Sequence, residues 1–405
     1  MFDQCCVTCT NRNVIRAAKA GNLQLLKQCI DDRKHISTVE EPWSVGCNYT
    51  ALDYAIMNND RKMIAELINY ITNKKNDYKL EPRVNKPENR LRLADTGECS
   101  DKMVGVRIRK LNTSRGNKQG NSAFSVDDVN SSYVSNVIQN AVMLHSNDPS
   151  IMDYIKSLTI APSGNGSTLY IDFASNVLQA IRAGNKAIAG EILKKNCEYN
   201  NYGFNVLHSD VLNADSADKL QIKVKTSLGK KSVTNMNITP MHVVCINPDA
   251  RFIERMVSLG GDWNCLDLSN RKPIHYAAAC DGEGPLNYLI SLGALIDEGD
   301  KAKVTPLMLA CQYNRIQNAL ILLRKGASYT AKNRENGNNA FQIACENGHL
   351  ELVKAFMKEV QVDVNLPGRD RMTALSLAAL HGHYEVVEYL VENGAKVTKK
   401  DKFKR

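Results

Sequence analysis

Thr239-Pro240-Met241-His242, Lys272-Pro273-Ile274-His275 and Thr305-Pro306-Leu307-Met308 are spaced by 33 residues each, and Asn339-Ala340-Phe341-Gln342 and Thr373-Ala374-Leu375-Ser376 continue the series at intervals of 34. A Thr or Asn ahead of an apolar run caps a helix, because its side-chain oxygen accepts an N–H that the first turn leaves unpaired. Proline suits the next position, where a missing N–H costs nothing. Each opening leads into a short apolar helix that ends in small residues such as Ala378-Ala379, and then into a turn such as Asn347-Gly348-His349 or His381-Gly382-His383. A second helix follows, for instance Tyr384 to Glu392 with Val386, Val387, Leu390 and Val391 on one face, and stops at Gly394, where a capping glycine belongs. Self-similarity at this period means a solenoid, in which each helix pair buries its apolar face only against its neighbours.

The pattern Thr-Pro-Leu-His-x-Ala at a 33-residue period resembles the ankyrin family. That resemblance implies an all-α ankyrin-repeat solenoid of helix pairs with short β-hairpin loops. Upstream the repeat is more degenerate. Asn13-Val14-Ile15-Arg16-Ala17-Ala18-Lys19-Ala20-Gly21-Asn22 and Asn176-Val177-Leu178-Gln179-Ala180-Ile181-Arg182-Ala183-Gly184-Asn185 are close copies, and Thr50-Ala51-Leu52-Asp53-Tyr54-Ala55 opens another unit. Asn205-Val206-Leu207-His208 lies 34 residues before Thr239 and keeps phase. Eight or nine units are expected, covering roughly 70% of the chain when tallied at ~33 residues each. The expected division is 1–76 for N-terminal units, 77–126 for a basic insertion, 127–172 for a helical pair or divergent repeat, and 173–405 for the main array.

Composition limits the alternatives. Hydrophobic residues make up 43% of the chain, enough to bury a core and to exclude wholesale disorder. The net charge is +9, and Lys79 to Gly120 carries 11 Lys/Arg against 5 Asp/Glu. Met1 to Cys9 shows neither a basic leader nor an apolar run, so no signal peptide is expected, nor any bilayer-spanning segment. Twelve cysteines are then expected as reduced thiols in a cytoplasmic or nuclear protein, and the sequons at Asn48, Asn112, Asn130 and Asn165 as unused.

Groups that could carry chemistry fall mostly into the repeat. Cys245, Cys311 and Cys345 sit six residues after their opening Thr or Asn, where Ala278 and Ala379 sit in sister units; this is a position for a small buried residue. His208, His242 and His275 occupy the fourth motif position and His349 and His383 the turn, so architecture accounts for them. Cys5-Cys6-Cys9 lacks the further ligands that zinc needs. Leu228-Gly229-Lys230-Lys231-Ser232 fails as a phosphate loop, because Val224 stands where its first glycine is required. No cofactor, metal or catalytic constellation is expected. Trp263, after Gly260-Gly261-Asp262, suits a packing role or an interface anchor. The basic run Val104 to Lys118 has no interleaved aromatic residue to stack on bases, so a solvated loop or a docking segment for an acidic protein fits better than nucleic-acid binding.

Ankyrin stacks present their hairpin tips and the exposed side of each first helix. The tips here fall at Leu268–Arg271, Asp300–Lys303, Arg334–Gly337 and Arg369–Arg371, with Lys399–Phe403 beyond. Their basic bias favours a protein partner offering an acidic or carboxylate-bearing peptide, and no membrane. The expected contact residues are Arg271, Lys301, Lys303, Arg334, Arg369 and Arg371, with Tyr276 and Tyr313 as aromatic anchors.

A narrower resemblance, carried by Cys245-Ile246-Asn247-Pro248, by Arg271 to Cys280 and by Arg109 to Asn117, is to the ankyrin arm of tankyrase-like poly(ADP-ribose) polymerases. It implies substrate recruitment here and ADP-ribosyl transfer from NAD by a separate domain of a parent chain. Asp401–Arg405 has the phase of Asp300–Val304, so a further repeat opening at the next residue is expected. Because repeat stability is carried by nearest neighbours, deleting Asp77 to Ser125 should leave the Thr239–Asn393 stack folded. Limited proteolysis checks this, and general sensitivity of the shortened chain would show that the insertion packs on the array.

Overall fold

The computed structural model describes residues 17–31, 51–73, 126–159, 171–196, 203–204, 206–220 and 236–397. The basic insertion, the Cys5–Cys9 cluster, the Leu228–Ser232 segment and Lys399–Phe403 lie outside these residues. Among the described residues the regular structure is helical, and no helix is long and apolar enough to cross a membrane.

The described helices fall into ten units. Unit 1 holds a helix end at 17–19 and Leu23–Asp31, and unit 2 holds Ala51–Met57 and Arg61–Asn73. Unit 3 comprises Val126–His145 and Ser150–Thr159, and unit 4 Val177–Arg182 and Lys186–Asn196. Among the described residues unit 5 has Val206–Asn213 and the single turn Ala217–Lys219. Units 6 to 10 are Pro240–Val244 with Ala250–Ser258, Pro273–Ala279 with Gly284–Ser291, Pro306–Gln312 with Ile316–Arg324, Ala340–Glu346 with Leu350–Glu359, and Ala374–Leu380 with Tyr384–Glu392. The count exceeds the eight or nine units expected from periodicity. The pair at 126–159 belongs to the stack although its sequence keeps little of the motif.

The motif residues act as the capping chemistry requires. His242 Nδ1 accepts the Thr239 N–H at 3.1 Å, and its Nε2 lies 3.1 Å from the Arg271 carbonyl, just ahead of the next unit. His208 makes the corresponding reach to Ile238 O. Gln342 replaces the imidazole in unit 9: its Oε1 accepts the Asn339 N–H, and its Nε2 donates to Leu366 O and Met372 O. One side chain thus closes its own helix start and bonds the following unit.

A second set of polar side chains joins the opposite ends of the helices. The last carbonyls of each first helix have no intrahelical partner, and residues of the turn or the second helix of the next unit fill the gap. Asn58 donates to Ala18 O, Asn185 to Met143 O and Ser146 O, and Asn247 to Val211 O. Asn318 reaches Ala277 O, Ala278 O and Cys280 O, and the Nε2 atoms of His349 and His383 reach Gln312 O and Glu346 O. Between these polar layers lies a continuous apolar core in which Cys245, Cys311 and Cys345 are fully buried. Ala278 is buried likewise, whereas Ala379, at the same phase in unit 10, is exposed because no described unit packs beyond it.

The stack does not run straight. Units 1 to 4 pack in series, and so do units 6 to 10. In unit 5 the helix Val206–Asn213 packs against Lys186–Asn196, the second helix of unit 4, and against Pro240–Val244 of unit 6. The chain therefore doubles back, and the two stacks meet. Arg182 and Ser269 bond at 3.3 Å, Arg315 Nη2 donates to Ala183 O at 3.3 Å, and Lys186 Nζ donates to Asn247 Oδ1 at 2.9 Å. Unit 1 reaches unit 10 through the ion pair of Lys19 with Glu385.

Burial of the histidines sets a pH dependence. Desolvation holds His145 and His349 down to about 3, and His208, His275 and His381 to about 4, so all five are neutral in the fold at pH 7. Their contribution is complete above the ordinary imidazole value of about 6.5 and is lost as pH falls toward those folded values. Glu346 works in the opposite sense: burial raises its carboxyl to about 7, so it favours the fold below that pH. Five imidazoles outweigh one carboxyl. The melting temperature should therefore fall between pH 6.5 and 4 in a calorimetric series. His349→Gln, which keeps a donor for Gln312 O, should flatten that fall by up to about 1.4 kcal/mol per pH unit.

Candidate functional site

The loops joining units 6 to 10 project as a row of short fingers. Each is closed at its base by one backbone bond: Asp267 N to Arg271 O, Asp300 N to Val304 O, Asn333 N to Asn338 O and Gly368 N to Met372 O. A carboxylate or amide inside the turn does the work of a longer ladder. Asp300 Oδ1 accepts from the N–H groups of Ala302 and Val304, both at 2.9 Å, and Asn333 Oδ1 accepts from those of Asn336 and Gly337. The β-hairpin loops expected from the resemblance are therefore tight turns, with no strand among the described residues. At the tips Asn270, Lys303, Asp370 and Arg371 adopt φ between 50° and 65°, a left-handed conformation costly for a residue with a Cβ.

Adjacent fingers are bonded to one another. Lys301 N donates to Ser269 O at 2.8 Å and Arg334 N to Ala302 O at 2.7 Å. Side chains extend the row: Arg334 Nη1 reaches Lys301 O, and Arg369 Nη1 donates to Glu335 O at 2.8 Å. The tips form a fixed strip rather than independent loops.

Five of the residues expected to meet a partner lie on this strip and are exposed: Lys301, Lys303, Arg334, Arg369 and Arg371. Glu335 is exposed beside them. Tyr313 is half-buried at the end of the first helix of unit 8. Two expectations are corrected. Arg271 is turned inward, its Nε 3.0 Å from Asp300 Oδ2, with side-chain exposures of 12% and 3% for the pair. Tyr276 is 1% exposed and donates its hydroxyl to Asp267 Oδ2 at 2.8 Å, so it anchors the finger rather than a ligand. Burial, reinforced by the Asp267 carboxylate, drives its phenol well above the ordinary value.

Asp267 and Asp300 are therefore the hidden half of the site. Asp267 accepts from Arg271 N and Tyr276, and Arg182 of unit 4 stands 4.0 Å away. Both carboxylates are spent on the finger bases, and Lys272 is neutralised by Glu298 at 2.6 Å. The recurrence of Asp, Asp and Asn at 267, 300 and 333, in phase with the motif, is the signal that could have revealed them. Nothing in the sequence pointed to Arg182.

No other chemistry gathers here. Among the described residues no cluster of His, Cys, Asp or Glu could hold a metal ion. Cys265, beside His242 and Thr239, is pushed up by burial to about 11, as is Cys280, so both are poor nucleophiles near neutrality. Trp263 packs against the core while remaining partly exposed.

Residues 241–333 and 331–401 each match a family model described as "Ankyrin repeats (3 copies)". The chain is 26% identical over 420 residues to a poly [ADP-ribose] polymerase tankyrase of Caenorhabditis elegans, an alignment covering 98% of this chain and 18% of that protein. It is 24% identical to the nuclear factor NF-kappa-B p105 subunit of Gallus gallus across 48% of this chain and 20% of that one. Similarity to the transient receptor potential cation channel subfamily A member 1 of Homo sapiens is 31% across 32% of this chain and 12% of the channel. The chain spans a fifth or less of the length of each of these relatives.

Arg271→Ala should cost about 3–5 kcal/mol in urea unfolding, because it strands the Asp300 carboxylate. Arg371→Ala, on the same strip but exposed, should change stability by less than about 0.5 kcal/mol.

Proposed function

The chain carries ankyrin repeats, which make it a protein-interaction module, and from that premise we propose that its finger strip captures an acidic, carboxylate-bearing peptide. The observation that carries this reading is the sorting of charge across the fingers. Asp267 and Asp300 are buried at the bases, while Lys301, Lys303, Arg334, Arg369 and Arg371 stand exposed at the tips. With Asp267 and Asp300 facing inward, five exposed cations outnumber the exposed Glu335 on the strip, and the resulting positive field steers an acidic partner and weakens in salt.

The spacing suggests the form of the peptide. Packed helices sit ~8–10 Å apart, so successive fingers recur at about that distance. A polyproline II segment rises ~3.1 Å per residue with three residues per turn, bringing every third side chain to one face about 9 Å apart. An extended peptide with Asp or Glu at every third position would set one carboxylate over each finger. The bonds between fingers hold the strip in register, so little ordering cost falls on the protein side.

A second reading rests on the similarity to the tankyrase poly [ADP-ribose] polymerase along 98% of this chain. In that reading the strip recruits substrates for an ADP-ribosyl-transferring domain in the same polypeptide. Transcript sequence extending 3′ of the Arg405 codon separates the two. Nucleic-acid binding through the basic insertion is the weaker third reading, and retention of the intact chain, but not of the Asp77–Ser125 deletion, on an RNA column would favour it.

The direct test is fluorescence anisotropy with a labelled peptide carrying Glu at every third position. Binding should weaken as salt rises. The triple variant Lys301→Glu, Lys303→Glu, Arg334→Glu should lose about tenfold or more in affinity, while its melting temperature stays close to that of the parent because all three sites are exposed. Equal affinity in parent and variant would overturn the reading.

A further inference from the structure

The finger strip changes character at one end. Its register is set by the bonds at the finger bases: Leu268, Lys301, Arg334 and Arg369 each follow the residue whose N–H closes its finger. The bonds between fingers keep the same alignment. Leu268 N donates to Met236 O at 2.9 Å, as Lys301 N does to Ser269 O and Arg334 N to Ala302 O. At one register position, then, three fingers carry an exposed cation, and the finger between units 6 and 7 carries a leucine that is 40% exposed. Leu266, on the other side of the buried Asp267, is 42% exposed, where the later fingers place Gly299, Lys332 and Pro367.

The charged groups of this finger are engaged within the protein. Asp267 accepts from Arg271 N and Tyr276, and the Arg271 guanidinium lies on Asp300. Ser269 takes a bond from Arg182 of unit 4, and Lys272 pairs with Glu298. What the finger presents outward is Leu266, Leu268 and Asn270.

We propose that this finger is an apolar subsite that sets the specificity and register of the strip. The preferred partner carries acidic residues spaced for Lys301, Arg334 and Arg369, and a leucine-sized apolar side chain three residues beyond them, seated on Leu266 and Leu268. This rests on capture of an acidic peptide by the strip and adds what selects among acidic peptides. A row of cations alone tolerates a slip by one finger, because each carboxylate then meets the next cation. A leucine pair at the end of the row opposes that slip. A carboxylate moved onto it would lose water without gaining a partner, whereas an apolar side chain there removes apolar surface from water.

The test is fluorescence anisotropy with three labelled peptides of one length, each with three Glu residues at every third position. One carries Leu three residues before the first Glu, one carries Leu three residues after the last, and the third carries Ser at both places. The leucine that matches the direction of the bound peptide should tighten binding about fivefold over the serine peptide, part of what full burial of a leucine yields. The other leucine should add nothing. Leu268→Ser should abolish the gain and leave the affinity of the serine peptide unchanged. Leu268→Lys should reverse the preference, so that a fourth Glu in place of the favoured Leu binds more tightly than the Leu. Both variants should melt close to the parent, since the position is exposed. If the serine peptide binds but neither leucine, or each leucine equally, tightens binding, the subsite is overturned and the acidic-peptide reading stands. A gain that survives Leu268→Ser overturns the subsite too. Absence of salt-sensitive binding by all three peptides overturns both.

Discussion

Every helix in a solenoid of short helices leaves carbonyl and N–H groups unpaired at its ends, and with helices of five to ten residues in units 6 to 10 those ends are a large share of the backbone. The structure depends on how they are paired. At one end His242 or Gln342 accepts from its own capping residue and donates to the carbonyl before the next unit. At the other, Asn318, His349 and His383 cover the carbonyls of the preceding unit. The apolar core supplies the larger driving force but lacks direction. The polar bonds set the phase at which one unit docks on the next, because a buried donor or acceptor left unpaired costs ~1–3 kcal/mol.

Neutral imidazole is the chemical form this pairing requires. A ring that accepts a backbone N–H through Nδ1 and faces a carbonyl through Nε2 must carry its single proton on Nε2, and protonation of Nδ1 would destroy the cap. Burial enforces that form. The same burial leaves Glu346, with Asn338 donating to its carboxylate at 2.8 Å and His381 at 3.6 Å, with a raised affinity for a proton. The array thus stores its pH response in its architecture rather than in a dedicated site.

The finger strip follows from the same economy. Finger turns are too short for a ladder, so Asp267, Asp300 and Asn333 close them from inside, and the carboxylates draw Arg271 and Tyr276 inward with them. The cations that remain outside are Lys301, Lys303, Arg334, Arg369 and Arg371, held in line by bonds between neighbouring fingers. Closing the loops and presenting a positive strip are one structural event.

The repeat period, the capping residues, the buried small-residue positions and the architectural role of the histidines were legible in the sequence, because each depends on residues within one unit or its neighbour and recurs in phase. The five exposed tip cations, Lys301, Lys303, Arg334, Arg369 and Arg371, were legible for the same reason. Arg271 and Tyr276 were misplaced because their orientation is set by partners, Asp300 and Asp267, whose burial no local pattern expresses. The unit at 126–159 was hard to read because its helices satisfy the stack through shape and apolar spacing without the motif. What only the tertiary structure decided is the doubling back at unit 5, which brings Lys19 to Glu385 and Arg182 to Asp267. Nearest-neighbour periodicity carries no information about contacts between units several repeats apart, and these form only once each stack has assembled and presents its surface to the other.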